Sequence, residues 1–154
     1  MAWAWRNSGV MLHSEPASSM RLDQDFPVSL EAQLLGAPAG ERRSTGNLCT
    51  PGTNVELYGD VYQKHCINAM TAGVVGDDWV RIELEVRGNQ IVRHFINSEL
   101  AIEYRKPQFD YGDVDGERLA VSSEGLALGG GYIALQSESH PVQFRNIRLL
   151  PLEK

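Results

Sequence analysis

The 154-residue chain has 42% hydrophobic and 22% charged residues, which is the composition of a folded globular protein with a core rather than of a disordered chain. It has 14 Lys and Arg against 20 Asp and Glu, and no basic cluster, so it is poorly suited to bind a nucleic-acid backbone. Its longest apolar runs are only a few residues long, which excludes a helix that spans a membrane. We therefore expect one domain over residues 1–154, with no nucleic-acid partner and no membrane span.

Alternation of apolar and polar residues is the dominant pattern along the chain, and it predicts β-strands. It is clear in residues 28–34 and clearest in residues 79–87, where Val80, Ile82 and Leu84 point one way and the charged residues between them point the other. A helix would distribute these apolar residues around its axis, so the pattern favours strands.

Turn residues divide the next region into a three-stranded meander. Gly88-Asn89 suits a two-residue hairpin turn into a return strand at 90–96, and a second turn at residues 97–98 leads into a strand at 99–104. Pro107 is expected to end that strand, because proline cannot donate a hydrogen bond to a strand ladder.

The rest of the chain continues the β pattern. Residues 110–116 read as a loop, residues 132–136 as a strand, and residues 142–150 as a last strand whose phase change across Arg145-Asn146 suggests a β-bulge. No window predicts an amphipathic helix. The fold class is therefore all-β, an antiparallel sandwich of two sheets.

Four segments together resemble the 3-keto-disaccharide hydrolase domain family, formerly DUF1080. In order along the chain they are NSGVMLH at 7–13, SLEAQL at 29–34, WVRIE with VRGNQIVRHFIN at 79–97, and IALQSESHPVQFRNI at 133–147. The resemblance implies a concanavalin A-like sandwich, or jelly roll, and a periplasmic or secreted location. The chain itself begins without the basic and apolar stretches of a signal peptide.

Members of the family usually carry some tens of residues before the NSG strand, and this chain begins just before it. If the strands formed by those residues are missing, sheet edges are exposed. A homodimer through the exposed edges is then expected.

The resemblance makes Glu31 the first candidate for acid–base catalysis. Glu31 and Gln33 lie on the polar side of a strand whose other side is apolar, so their side chains stand together. In concanavalin A-like sandwiches the concave face of one sheet is the usual sugar platform, where a carboxylate can hold hydroxyls or transfer a proton. The alternative is that Glu31 is a solvated surface residue.

Histidines supply the other candidates for the site. His65, in a polar loop, is the second catalytic candidate, and the alternative is a surface histidine. His13 is expected to point into the same cleft as Glu31, and His140 to reach its rim, whereas His94 is expected in cross-strand packing or at the surface. The ligand spacings of known metal sites are absent, so no cofactor is expected, although four histidines and several carboxylates would permit a divalent metal.

Glu138, Gln33 and Arg145 are expected to support substrate binding with His13, and the alternative for Arg145 is a structural ion pair. The tryptophans could stack on sugar rings, although Trp79 begins a core strand. The chain has two cysteines, and the extracytoplasmic location of the family favours a disulfide between Cys49 and Cys66 over two reduced thiols.

Two functions follow from the resemblance. The first is a hydrolase or lyase for glycosides oxidised at C3, with a carboxylate or imidazole acting on the acidified C2 proton. The second is a lectin-like module that binds saccharides without turnover, because one fold can serve both roles. A structural domain without sugar binding is a third reading.

Overall fold

The computed structural model describes residues 5–152, which form two packed sheets and one short α-helix, α1 (Val114–Ser122). The strands of this part of the chain are β1 Asn7–Ser14, β2 Leu30–Ala37, β3 Asn47–Cys49, β4 Thr53–Leu57, β5 Asp60–Tyr62, β6 Cys66–Ile67, β7 Val74–Val75, β8 Ile82–Arg87, β9 Ile91–Ile96, β10 Glu99–Phe109 and β11 Tyr132–Glu138. The all-β sandwich predicted from alternation is confirmed.

The first sheet has the order β11-β1-β2-β3-β6, and β7 pairs with β2 in parallel. The second has the order β5-β4-β10-β9-β8. All pairs along both orders are antiparallel. The meander predicted around the turns at 88–89 and 97–98 is the β8-β9-β10 part of the second sheet.

The core lies between the sheets and follows from the alternation of each strand. Leu12, Leu30 and Leu48 project from the first sheet and are at most 4% exposed, and they share one hydrophobic cluster with Val92 and Tyr104 of the second sheet. The residues one position away along β1 and β2, including Met11 and Glu31, therefore lie on the outer face of the first sheet.

His94 belongs to this core. Its Nδ1 lies 2.9 Å from the carbonyl oxygen of Gly46, its Nε2 lies 3.0 Å from the Tyr104 hydroxyl, and the two rings meet edge to face. Burial lowers the pKa of His94 to about 4, so the imidazole is neutral near pH 7. The prediction of cross-strand packing is confirmed.

The prediction that Pro107 ends a strand is wrong, because β10 continues to Phe109. The pairing of β10 with β4 shifts in register between Arg105 and Gln108, and Lys106 takes a positive φ of 43°. Pro107 thus sits at an irregularity of the ladder, where its missing N–H is not needed.

The helix α1 was not predicted, and residues 110–116 are a loop only up to its start. The Asp113 side chain accepts hydrogen bonds from the backbone N–H groups of Asp115 and Gly116, which makes it an N-cap. Glu117 adds a second acidic residue to the first turn. The helix has nine residues, and its buried positions are Asp115, Gly116 and Ala120, so no apolar stripe marks it in the sequence.

The predicted last strand at 142–150 is also wrong, since residues 141–152 form no ladder with any described strand. Alternating residues make a strand only where a neighbour accepts and donates hydrogen bonds. Asn146 has a φ of 55°, so a left-handed residue replaces the expected bulge. Leu149 and Leu150 are each 79% exposed.

Strand β11 is an edge of the first sheet, and it exposes Tyr132, Ile133 and Leu135. A dimer through this edge stays a prediction. No helix among residues 5–152 is long and apolar enough to cross a membrane.

Candidate functional site

A row of polar side chains crosses the outer face of the first sheet. Gly9 of β1 is paired with Gln33 of β2 and with Gln136 of β11, so these residues share that face with Glu31. Glu138 follows two residues after Gln136 on the same strand and therefore projects the same way. Three neighbouring strands thus bring two carboxylates and two amides together.

The Glu31 side chain is buried although it lies on the outer face. Glu31 is 6% exposed, and its Oε1 atom is fully buried without a hydrogen-bond partner. Gly9 provides the space for it, because a Cβ on Gly9 would lie 2.4 Å from Oε1 and 2.9 Å from Cγ of Glu31. The same Cβ would lie 3.0 Å from Oε1 of Gln136. The absence of a side chain at Gly9 therefore forms a cradle for the Glu31 carboxyl group.

Burial raises the pKa of Glu31 to about 7, and the negative charge of Glu138 adds to the shift. Near neutral pH the group is therefore divided between its acid and its carboxylate. A group with such a pKa can accept and return a proton at neutral pH.

Glu138 is held in place by two amides. Its Oε2 accepts hydrogen bonds from Nδ2 of Asn7 at 2.9 Å and from Nε2 of Gln136 at 3.2 Å. These bonds turn the carbonyl oxygens of both amides away from Glu138, and Oδ1 of Asn7 and Oε1 of Gln136 are buried without partners. Together with Oε1 of Glu31, three buried acceptors at this site lack a donor.

These three buried acceptors without hydrogen-bond donors indicate which ligands the site favours. A buried acceptor without a donor is unfavourable by about 1–3 kcal/mol, so groups that donate hydrogen bonds are favoured here. A proton on Glu31 supplies one such donor, and hydroxyl groups of a polyol can supply others.

A cavity of about 340 Å³ lies beside the row. Its polar lining residues are Asp25, Gln136, Ser137 and Glu138, and Met11, Phe26 and Pro27 are among its apolar residues. Its volume is at the lower end of the range for small-molecule sites. Glu31 does not line the cavity, whereas Gln136 and Glu138, which lie on the same face of the sheet, do.

Gln33 lies on the same face as Glu31, as its position in the strand predicted. Its Oε1 accepts a hydrogen bond from Nδ2 of Asn47 at 3.2 Å, and Oδ1 of Asn47 accepts one from the backbone of Ala69 at 2.9 Å. The Gln33 side chain is therefore tied to β3 and to the loop after β6.

His65 lies at a second cavity, of about 320 Å³, which neither Glu31 nor Glu138 lines. The second cavity is formed largely by loops and by several aspartates, and Asp25 and Phe26 line both cavities. The structure therefore brings Glu31 and Glu138 together and leaves His65 apart from them.

The expectation that His13 points into the cleft with Glu31 is wrong. Its Nε2 lies 3.0 Å from the carbonyl oxygen of Gly88, in the turn between β8 and β9 of the other sheet. His13 has a φ of 50° at a register shift between Met11 and Ser14, and this irregularity turns the side chain away from the alternating pattern of β1.

Arg145 also lies elsewhere, since its guanidinium group stacks over the ring of Trp79 at 3.8 Å from the ring centre. This contact replaces the ion pair that was the alternative for Arg145. His140 is close to the row, because its Nδ1 accepts a hydrogen bond from the backbone of Arg6 at 3.1 Å, and its ring packs against Trp5. Trp3 lies outside the described residues.

The structure contains the disulfide between Cys49 and Cys66, which face each other across β3 and β6. Cys49 is paired with Glu31 on its other side, so the bridge supports the strand next to the carboxylate. A bridge that closes 17 residues stabilises the fold by about 3 kcal/mol. No three His, Cys, Asp or Glu residues in the described part of the chain are grouped to hold a metal ion.

The outer face of a two-sheet sandwich thus carries a pair of carboxylates, one of which, Glu138, lines a small cavity. The family model of the 3-keto-alpha-glucoside-1,2-lyase-like domain matches residues 1–150, and the chain belongs to this family. No curated protein and no solved structure matches the chain.

Proposed function

We propose that this domain cleaves 3-keto-α-glucosides by elimination and that Glu31 transfers the proton. The observation that carries the proposal is the buried carboxyl group of Glu31, held over Gly9 beside Glu138, with a pKa raised by burial to about 7. The family model supports the class of substrate.

The chemistry uses the carbonyl group at C3 of the sugar. That carbonyl acidifies the proton on C2, which the Glu31 carboxylate accepts as the electron pair of the C–H bond forms a double bond between C1 and C2. The bond from C1 to the glycosidic oxygen breaks, and its electron pair leaves with the oxygen. Protonated Glu31 or solvent then protonates the oxygen to give the free alcohol. Later addition of water across the double bond would make the overall reaction a hydrolysis.

Glu138 has a different part in the proposal. Its charge raises the pKa of Glu31, which keeps the base matched to neutral pH. Its bonds to Asn7 and Gln136 engage the amide nitrogens and leave both carbonyl oxygens without a donor, a role that sugar hydroxyls can fill. Glu138 thus acts on the pKa of Glu31 and on the placement of the amides, and it takes no part in the proton transfer.

Saccharide binding without turnover is the second candidate, and one observation favours it. Glu31 does not line the cavity, whereas Gln136 and Glu138 do, so a saccharide could be held without contact to Glu31. The disulfide supports a periplasmic or secreted location for either function, because disulfides persist in oxidising compartments.

The proposal predicts release of p-nitrophenol from p-nitrophenyl 3-keto-α-glucoside and no release from the unoxidised glucoside, which lacks the acidified C2 proton. Absorbance measures the release, and chromatography identifies the unsaturated sugar. Equal rates on both glucosides would contradict elimination. Binding of the keto sugar without product would support the lectin-like function instead.

A further inference from the structure

Phe26 stands between the two cavities, in the loop that connects β1 to β2. It is 36% exposed and lines both the 340 Å³ cavity beside Glu138 and the cavity that contains His65. Phe26 is thus the apolar residue that lines both cavities. No pattern in the sequence identifies it.

The 340 Å³ cavity is lined by both apolar and polar residues. Apolar surface comes from Met11, Phe26, Pro27, Ala134 and Leu135, and polar atoms come from Asp25, Gln136, Ser137 and Glu138. A pyranose ring has the same division, since its C–H groups form apolar faces and its hydroxyls project from its rim. Aromatic rings bind such faces because they offer a broad flat apolar surface.

The loop that carries Phe26 is held by a network of hydrogen bonds. Nε2 of Gln24 donates to the backbone carbonyl of Phe26 at 2.8 Å and also to Glu15. Glu15 accepts from the backbone of Val28 at 2.9 Å and forms an ion pair at 3.0 Å with Arg118 of α1. An aromatic ring placed on a loop held at both sides loses little freedom when it binds a ligand.

Two of the three tryptophans that the sequence offers as sugar platforms lie in the described part of the chain, and both are engaged at other positions. Trp79 is covered by the guanidinium group of Arg145, and Trp5 packs against His140 and Arg6. Neither tryptophan lines the 340 Å³ cavity.

We propose that Phe26 is the stacking platform of the saccharide site, against which the sugar ring rests while its hydroxyls meet Gln136 and Glu138. This inference rests on the proposed function, because it takes the ligand to be a 3-keto-α-glucoside. In this role Phe26 contributes to the affinity for the sugar and to its orientation, and Glu31 transfers the proton.

The test compares Phe26→Ala, Phe26→Leu and Phe26→Tyr with p-nitrophenyl 3-keto-α-glucoside as substrate. We expect Phe26→Ala to raise KM about tenfold with kcat within about twofold of wild type, since the lost contact binds the ground state and the transition state alike. Phe26→Leu should raise KM several-fold because it keeps bulk without a flat ring, and Phe26→Tyr should leave KM unchanged. Tyr58→Ala is the matched control, because Tyr58 is an aromatic residue 95% exposed at the β4–β5 turn.

The outcomes separate the two proposals. If wild type converts the substrate and KM is unchanged in Phe26→Ala and Phe26→Leu, the stacking role of Phe26 is contradicted and the proposed function is not. If wild type binds methyl 3-keto-α-glucoside without turnover, calorimetry on the same variants applies, and about tenfold weaker binding by Phe26→Ala supports the platform. A wild-type protein that neither binds nor converts these sugars contradicts both proposals.

Discussion

Replacing Glu31 by Gln is expected to lower kcat on 3-keto-α-glucosides by at least about a hundredfold and to make the protein more stable at pH 8. The loss of activity follows because an amide cannot accept the C2 proton, and a positioned general base contributes about 10²–10⁴-fold to rate. The gain in stability follows because an ionised carboxyl group buried beside Glu138 is unfavourable in the fold.

The sign of the pH dependence follows from the two pKa values of Glu31. Its folded pKa of about 7 is above its ordinary value of 4.5, so the folded state holds the proton more tightly than the unfolded state. The contribution of Glu31 to stability is therefore full below pH 4.5 and is lost as the pH rises through 7. Glu31→Gln should raise the free energy of unfolding by about 3 kcal/mol at pH 8 and by almost nothing at pH 4.

Urea unfolding at pH 4 and pH 8, with kinetics at pH 7, measures both effects. Glu83→Gln is the matched control, because Glu83 is exposed and pairs with Arg81 on the second sheet. A Glu31→Gln protein that is equally stable at pH 8 and turns over at the wild-type rate would show that Glu31 is a solvated surface residue.

Replacing Gly9 by Ala is expected to lower kcat by about a hundredfold while the protein stays folded. The new Cβ would lie 2.4 Å from Oε1 of Glu31 and 3.0 Å from Oε1 of Gln136. Both oxygens are the ends of flexible side chains and can move away, but Cγ of Glu31 would lie 2.9 Å from the new Cβ, so the whole Glu31 side chain has to shift. The carboxyl group then loses its position, and a displacement of about 1 Å can reduce a rate about a hundredfold.

Kinetics and thermal unfolding of Gly9→Ala measure this effect. Gly125→Ala is the control, because a Cβ there would meet open space within 4 Å. Wild-type kcat in Gly9→Ala would mean that the cradle over Gly9 does not position the reacting group.

The sequence predicts the site only where its residues follow the strand period. Glu31 and Gln33 were placed together by alternation along one strand, and Glu138 by its place in the last family segment. The structure adds Asn7 and Gly9, which the register of β1 against β2 and β11 brings to the same site. The register depends on how separate strands pair in the folded protein, so the sequence of one strand does not reveal it.

The position of loop residues relative to the site could not be predicted from the strand period. His65 and Phe26 lie in loops, whose paths depend on hydrogen bonds such as that from Gln24 to Glu15. His13 lies near the end of β1, where the register shifts and the side chain turns away, and alternation cannot anticipate such a shift. The helix α1 did leave a local signal in the N-cap Asp113, although its apolar face is too short to give a period.

The fold was predictable where a strand has a partner and unpredictable where it has none. Residues 142–150 alternate much as the paired strands do, yet no described strand lies beside them to complete a ladder. At Pro107 the prediction failed in the other direction. A strand end was expected there, but the irregular ladder accommodates the proline inside β10.

The most direct test of the account is a carbon-detected NMR titration of the Glu31 carboxyl group, with and without methyl 3-keto-α-glucoside. We expect a midpoint near pH 7, a lower midpoint in Glu138→Gln, and a change of the Glu31 signal when the sugar binds. A midpoint near 4.5 that responds neither to Glu138→Gln nor to the sugar would contradict it.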